Sequence, residues 1–312
     1  YVAHLYRVHD DYFIEHSGTL VQKHVVDASI RSDGTRIIDV DLRSNSGLTV
    51  SMRVLLPPEA ATQQVALLLM LGGHRTGKGA VDLIDEPRGI AYAAIDYPYS
   101  GRHRLAGFRQ VVAAIPGIQS AFLDTPPALM LALDWLLRQP WADPGRAELV
   151  GASLGVPFAA VAGALDQRFT RIWLVHGAAD NYLWVMHAVG HGIDNELLRG
   201  LAARMALLLV YGNSFRTDEW IREIPPRRLG IIAARDDERV PEAAIAAFVH
   251  AAESEHVQLI WTEGRHVDPG RDDELGQLID IVVGEVAATD SSRWQIDGPA
   301  SGPQHPGKRV AE

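Results

Sequence analysis

The segment Gly151-Ala152-Ser153-Leu154-Gly155 constrains the fold more than any other stretch of the chain. An apolar β-like run, Ala147–Val150, leads into it, and an alanine-rich helical run, Val156–Leu165, leads out. A strand that turns into a helix over so few residues forces strained backbone angles on the central serine. Only small residues at the flanks let the two elements pass without collision. Such a turn lifts a serine hydroxyl to the carboxyl end of a sheet, facing a cleft.

The surrounding pattern agrees with a sheet. Val65–Leu71 and Ile90–Ile95 are continuous apolar runs, as expected of central strands covered on both faces. Arg171–His176, Leu229–Ala233 and Val257–Trp261 read as further strands, and Pro126–Arg138, Pro241–Ala252 and Asp272–Ala287 read as helices between or after them. Upstream, Arg36–Arg43 is strand-like and Asn45-Ser46-Gly47 is a turn signal. Leu48, Val50, Met52 and Val54 then alternate with polar residues along a half-buried strand. The expected architecture is α/β: a mostly parallel, doubly wound sheet with right-handed crossovers, opened by an antiparallel hairpin.

The 312 residues divide by pattern into an N-terminal arm (1–35), a main domain (36–288) and a tail (289–312) of disordered-linker composition. Asn181–Pro226 is far longer than a usual connection. It holds helical runs and the aromatics Tyr182, Trp184, Tyr211, Phe215 and Trp220. It reads either as a small helical lid insertion or as a pair of ordinary surface helices.

Composition excludes several classes. A net charge of −10 argues against a nucleic-acid partner, which needs a basic face. No apolar stretch reaches the length of a membrane span. There is no cysteine, hence no disulfide, thiolate metal site or cysteine nucleophile. The chain opens on Tyr1 without an initiator methionine, which carries the expectation of an exported mature protein.

Gly-x-Ser-x-Gly between a strand and a helix resembles the nucleophile elbow of the α/β-hydrolases, whose catalytic residues follow in the order serine, acid, histidine. In a doubly wound sheet the chemistry sits at the carboxyl ends of strands. Leu229–Ala233 is followed by Arg235-Asp236-Asp237-Glu238-Arg239-Val240-Pro241, which is similar to the family's acid loop and selects Asp237, with Asp236 as the alternative. Val257–Trp261 is followed by Thr262-Glu263-Gly264-Arg265-His266, and of the 13 histidines only His266 has that place. The resemblance thus implies a triad of Ser153, Asp237 and His266. It also implies an oxyanion hole built from the backbone N–H of Leu154 and that of Gly73 or His74, in the loop Gly72-Gly73-His74. That loop resembles the family's His-Gly-Gly, with Leu71 where the histidine usually stands. Asp96-Tyr97-Pro98-Tyr99-Ser100-Gly101 and Ile224-Pro225-Pro226-Arg227-Arg228-Leu229 are similar to further family segments, the second to those of dienelactone-hydrolase-like and acetyl-esterase-like members.

The implied activity is hydrolysis of a small-molecule carboxylic ester through an acyl-enzyme, with no cofactor and no metal. The alternatives are an acyltransferase or peptidase on the same scaffold, or a hydrolase-like binding protein. Two other patterns carry less. Gly72-x-x-x-x-Gly77-Lys78 looks like a phosphate-binding loop, but Gly79 replaces the hydroxyl residue that would hold magnesium. His187 and His191 are four apart on a helical run, without a glutamate between them or an evident third ligand.

Overall fold

The computed structural model describes residues 8, 10–73, 76–101, 107–251, 256–268, 270 and 272–287. The tail read as disordered, 289–312, lies outside the described residues. Helix α1 (Asp10–Ser17) precedes three antiparallel strands, β1 (Leu20–Ile30), β2 (Arg36–Ser44) and β3 (Thr49–Leu56). The strands β4 (Val65–Leu71), β5 (Ile90–Ile95), β6 (Ala142–Ala152), β7 (Arg171–Val175), β8 (Arg228–Ala234) and β9 (Val257–Thr262) follow. Among the described residues one sheet forms, in the order β1-β2-β3-β5-β4-β6-β7-β8-β9, and it is parallel from β5 to β9.

The alternation of side chains along each strand sorts the core onto two faces. Leu67, Leu69, Ala93, Leu149 and Ile172 face one way, with helices α2 (Phe108–Leu136) and α3 (Gly155–Leu165) packed on them. Leu68, Tyr92 and Trp173 face the other way, toward a 3₁₀ turn (Gly77–Leu83) and the last helix, α8 (Asp272–Ala287). The remaining helices are α4 (Asn181–Gly190), α5 (Glu196–Leu209), α6 (Thr217–Trp220) and α7 (Glu242–Ala251). No helix of the described residues is long and apolar enough to cross a membrane.

Two readings need correction. Residues 20–30, taken from sequence as part of an irregular arm, form edge strand β1. Almost every β1 side chain is exposed, so the strand carries no apolar alternation to read. It also shifts register twice against β2, between Leu20 and Gln22 and between Val25 and Asp27. The helix expected from Pro126 starts at Phe108 and runs through Pro116, Pro126 and Pro127. Prolines usually end a helix because they lack the donor for the preceding turn. Burial of Leu123, Ala128, Leu129, Leu131 and Leu133 holds this one together across them.

The insertion 181–226 has two parts. Asp180 caps α4 by accepting from the N–H groups of Tyr182 and Leu183, and Asn195 caps α5 by accepting from Leu198 N–H. Helix α4 is half-buried along almost its whole length, and α5 leaves much of its surface exposed. The second part is anchored. Phe215, Trp220, Ile221 and Ile224 belong to the main core, and Phe13 of α1 packs against Phe215 and Trp220. The Arg227 guanidinium donates to the carbonyls of Gly163, Ala164 and Asp166, closing the carboxyl end of α3 and fixing the helix that follows the Gly-x-Ser-x-Gly turn.

Candidate active site

Ser153 sits at the turn between β6 and α3 with φ +53°, in the left-handed region. A non-glycine residue there stores strain that the surroundings must hold. They do so by contact. A Cβ on Gly151 would overlap Ala159 and the Gly155 carbonyl, and a Cβ on Gly155 would overlap the Leu71 carbonyl. Ser153 N–H donates to the Val175 carbonyl at 2.9 Å, which ties the turn to β7. Strand, turn and helix therefore fit only with glycine at both flanks.

The serine hydroxyl lies 2.7 Å from His266 Nε2. His266 follows β9, and its ring is fully buried. Its Nδ1 lies 2.8 Å from Asp237 Oδ2 and 3.0 Å from Oδ1. With the proton on Nδ1, the imidazole donates to the carboxylate and leaves Nε2 to accept from the serine. Asp237 Oδ1 also accepts from the N–H groups of Arg239 and Val240, which fixes the carboxylate on its loop after β8. Asp236, the alternative acid, is exposed, and its N–H donates to the Gly264 carbonyl. The side chain facing His266 is that of Asp237.

The backbone of the glycine loop reaches the same place. Gly72, Gly73 and Ser153 line one cavity. Tyr97 hydroxyl donates to the Gly72 carbonyl at 2.7 Å, and Thr76 hydroxyl donates to the Gly73 carbonyl at 2.8 Å. Asp96 accepts from Lys78 N–H, so the Asp96-Tyr97 segment supports the loop from the next strand. Leu154 opens α3, where the first N–H groups have no acceptor within the helix. Leu71 is fully buried in the core, a position that suits leucine. His74, the alternative loop donor, lies outside the described residues.

Two residues at the site escaped the sequence reading. His176 follows β7 directly and is buried beside His266, with ring centroids 6.0 Å apart. Its Nδ1 accepts from Val267 N–H at 2.9 Å and its Nε2 faces the Thr262 hydroxyl at 3.3 Å. Burial pushes its pKa down to about 4, against the opposing pull of Asp237, so the ring is neutral near pH 7. It holds the segment that carries His266. Glu238 accepts from His266 N–H at 3.1 Å. The signal for His176 was its place at a strand's carboxyl end, the same rule that located Asp237 and His266.

His176, Asp237 and His266 have nitrogen and oxygen atoms close enough to invite a metal. Those atoms already serve one another and the backbone: His266 Nδ1 is on Asp237, and His176 Nδ1 is on Val267 N–H. The phosphate-loop pattern also has another use, since the Lys78 ammonium reaches Asp39 at 3.4 Å and the Ser51 hydroxyl at 3.2 Å. His187 Nε2 donates to the Glu238 carbonyl at 3.1 Å, tying α4 to the acid loop.

The cavity that opens at Ser153 has a volume of about 550 Å³. The space is of the size that accommodates a ligand.

No family model matches the sequence, and no curated protein matches it significantly by sequence. Solved structures do resemble it. An acetyl xylan esterase from Paenibacillus sp. is 19% identical with a TM-score of 0.61, covering 89% of this chain and 98% of that one. Acetyl xylan esterase 1 from Thermoanaerobacterium sp. is 14% identical with a TM-score of 0.60, covering 89% and 93%. A glucuronoyl esterase from Solibacter usitatus is 13% identical with a TM-score of 0.55, covering 88% and 91%. With this strand order and these likenesses along most of its length, the chain has the α/β-hydrolase fold.

Proposed function

We propose that the protein is a serine hydrolase that cleaves small-molecule carboxylic esters. The observation that carries this reading is the unbroken path from Ser153 Oγ to His266 Nε2 at 2.7 Å, and from His266 Nδ1 to Asp237 at 2.8 Å. A serine hydroxyl is a weak nucleophile at neutral pH and needs a base within hydrogen-bond reach. In this reading His266 takes the Ser153 proton as Oγ attacks the ester carbonyl. Asp237 keeps the imidazole in the required tautomer and stabilises its charged form. The N–H groups of Leu154 and of Gly73 or His74 receive the oxyanion. His266 then gives its proton to the departing alcohol, and water, deprotonated by the same nitrogen, releases the acid. No cofactor enters this sequence. The esterases among the similar structures favour the same reaction class. Helix α4 is tied to the acid loop through His187.

The test is labelling with a fluorophosphonate probe, in the wild type and in Ser153→Ala. The wild type labels and the variant does not, and ester turnover falls by roughly 10⁴- to 10⁶-fold. Folded wild-type protein that neither labels nor hydrolyses esters would sink the reading in favour of a binding protein.

A further inference from the structure

Among the described residues, the cavity at Ser153 is walled by the sheet, the 72–84 segment, the 267–270 segment and α8, with Arg239 at its rim. It descends between the sheet and α8 rather than under the helical insertion. Its polar rim includes Arg239 and Asp268, which pair at 2.8 Å and are partly exposed. Its deep end is lined by Leu68, Tyr92, Leu278, Val282 and Val283, all buried. Leu68 is level with Glu148, five residues before Ser153 on the neighbouring strand, which is about 16 Å of extended chain. Along α8 the lining runs from Leu275 to Val283, about 12 Å of helix. The space is a deep apolar channel with a reactive group at its mouth and buried side chains at its end.

Resting on the serine-hydrolase reading, we infer that this channel takes the acyl chain of the substrate, and that the preferred substrates are esters of medium- to long-chain unbranched fatty acids. The assignment to the acyl side follows from the order of events. The alcohol must leave while the acyl group stays bonded to Ser153. A channel whose far end is lined by buried side chains suits the part that stays; an alcohol seated there would have to leave past the acyl-enzyme. The chemistry is mainly that of a hydrocarbon because four of these five deep side chains are aliphatic; the fifth, Tyr92, adds a ring and a buried hydroxyl that has no hydrogen-bond partner among the described residues.

The experiment measures kcat/KM for p-nitrophenyl esters from acetyl to dodecanoyl, with fluorophosphonate labelling in parallel. Each methylene buried in the channel raises kcat/KM by up to about fourfold. Even at about twofold each, the eight extra methylenes put the decanoyl ester at least about a hundredfold above the acetyl ester. Ile279→Trp, on the half-buried side of the channel, should lower the decanoyl-to-acetyl ratio at least tenfold, as should Val283→Phe at its end. If the wild type labels but its profile falls beyond butanoyl, the acyl-channel inference is overturned and the hydrolase reading stands. A rising profile whose ratio neither substitution changes overturns it as well, because the chain then lies elsewhere. A wild type that neither labels nor turns over any ester removes the hydrolase reading and this inference with it. If neither variant folds, a wild-type profile that falls beyond butanoyl still overturns the inference, and the smaller substitutions Ile279→Phe and Val283→Leu replace them against a rising one.

Discussion

The two faces of the sheet are covered in opposite ways. On one, α3 lies so close that it is almost wholly buried, and its neighbours leave no room for a Cβ at Gly151 or Gly155. On the other, a short 3₁₀ turn and α8 stand off far enough to leave about 550 Å³. The tight face fixes the position and backbone strain of Ser153. The loose face gives the serine something to reach. Rigidity behind Ser153 and space in front of it come from opposite sides of the same strands.

The contrast can be broken by matched substitutions. The largest effect is expected on the tight face. Gly155→Ala would drive a methyl group into the Leu71 backbone carbonyl, which cannot rotate away, and should cost about 3 kcal/mol or more in urea denaturation. A loss below about 1 kcal/mol would mean that α3 can slide and that the face is not tight.

The next effect belongs to the rim where the faces meet. His176 titrates near 6.5 when unfolded and near 4 when folded. Between those values the unfolded chain binds the extra proton. Its contribution is therefore complete above pH 6.5 and is lost as the pH falls toward 4, by about 3 kcal/mol at most. Stability curves of wild type and His176→Asn should converge on acidification, and parallel curves would contradict this account. Smallest is Gly79→Ala on the 3₁₀ turn of the loose face. There a Cβ meets nothing nearer than an Asp82 carboxylate oxygen at 3.8 Å. The change should be neutral or stabilise by up to about 1 kcal/mol, by restricting the unfolded chain. Thermal melts of the Gly155 and Gly79 variants side by side measure the difference between the faces.

Much of this was legible in the sequence, for a physical reason. Buried parallel strands must be apolar throughout, so Val65–Leu71 and Ile90–Ile95 announce themselves. The loops after β8 and β9 can be picked out by position, and the structure brings Asp237 and His266 from them within hydrogen-bond distance of one another. The parts that were missed lack such a signature. Strand β1 buries too little to show a period. The prolines of α2 argue locally against the helix that tertiary packing enforces. His176 belongs to no motif; its role depends on a backbone N–H ninety-one residues away in sequence. The channel is a space between elements, and no residue pattern encodes a space.

Strand β1 also bears on how the edge of the sheet is protected against pairing. As the end strand of the sheet, with Val21, Val25, Val26 and Ile30 each more than half exposed, it has the composition of a template for edge-to-edge aggregation. Its two register shifts twist the ladder and break the even row of donors and acceptors that an incoming strand would need. Lys23 and Asp27 add charge of both signs along the same stretch. The register shifts that bend β1 against its neighbour also make it a poor partner for a second strand.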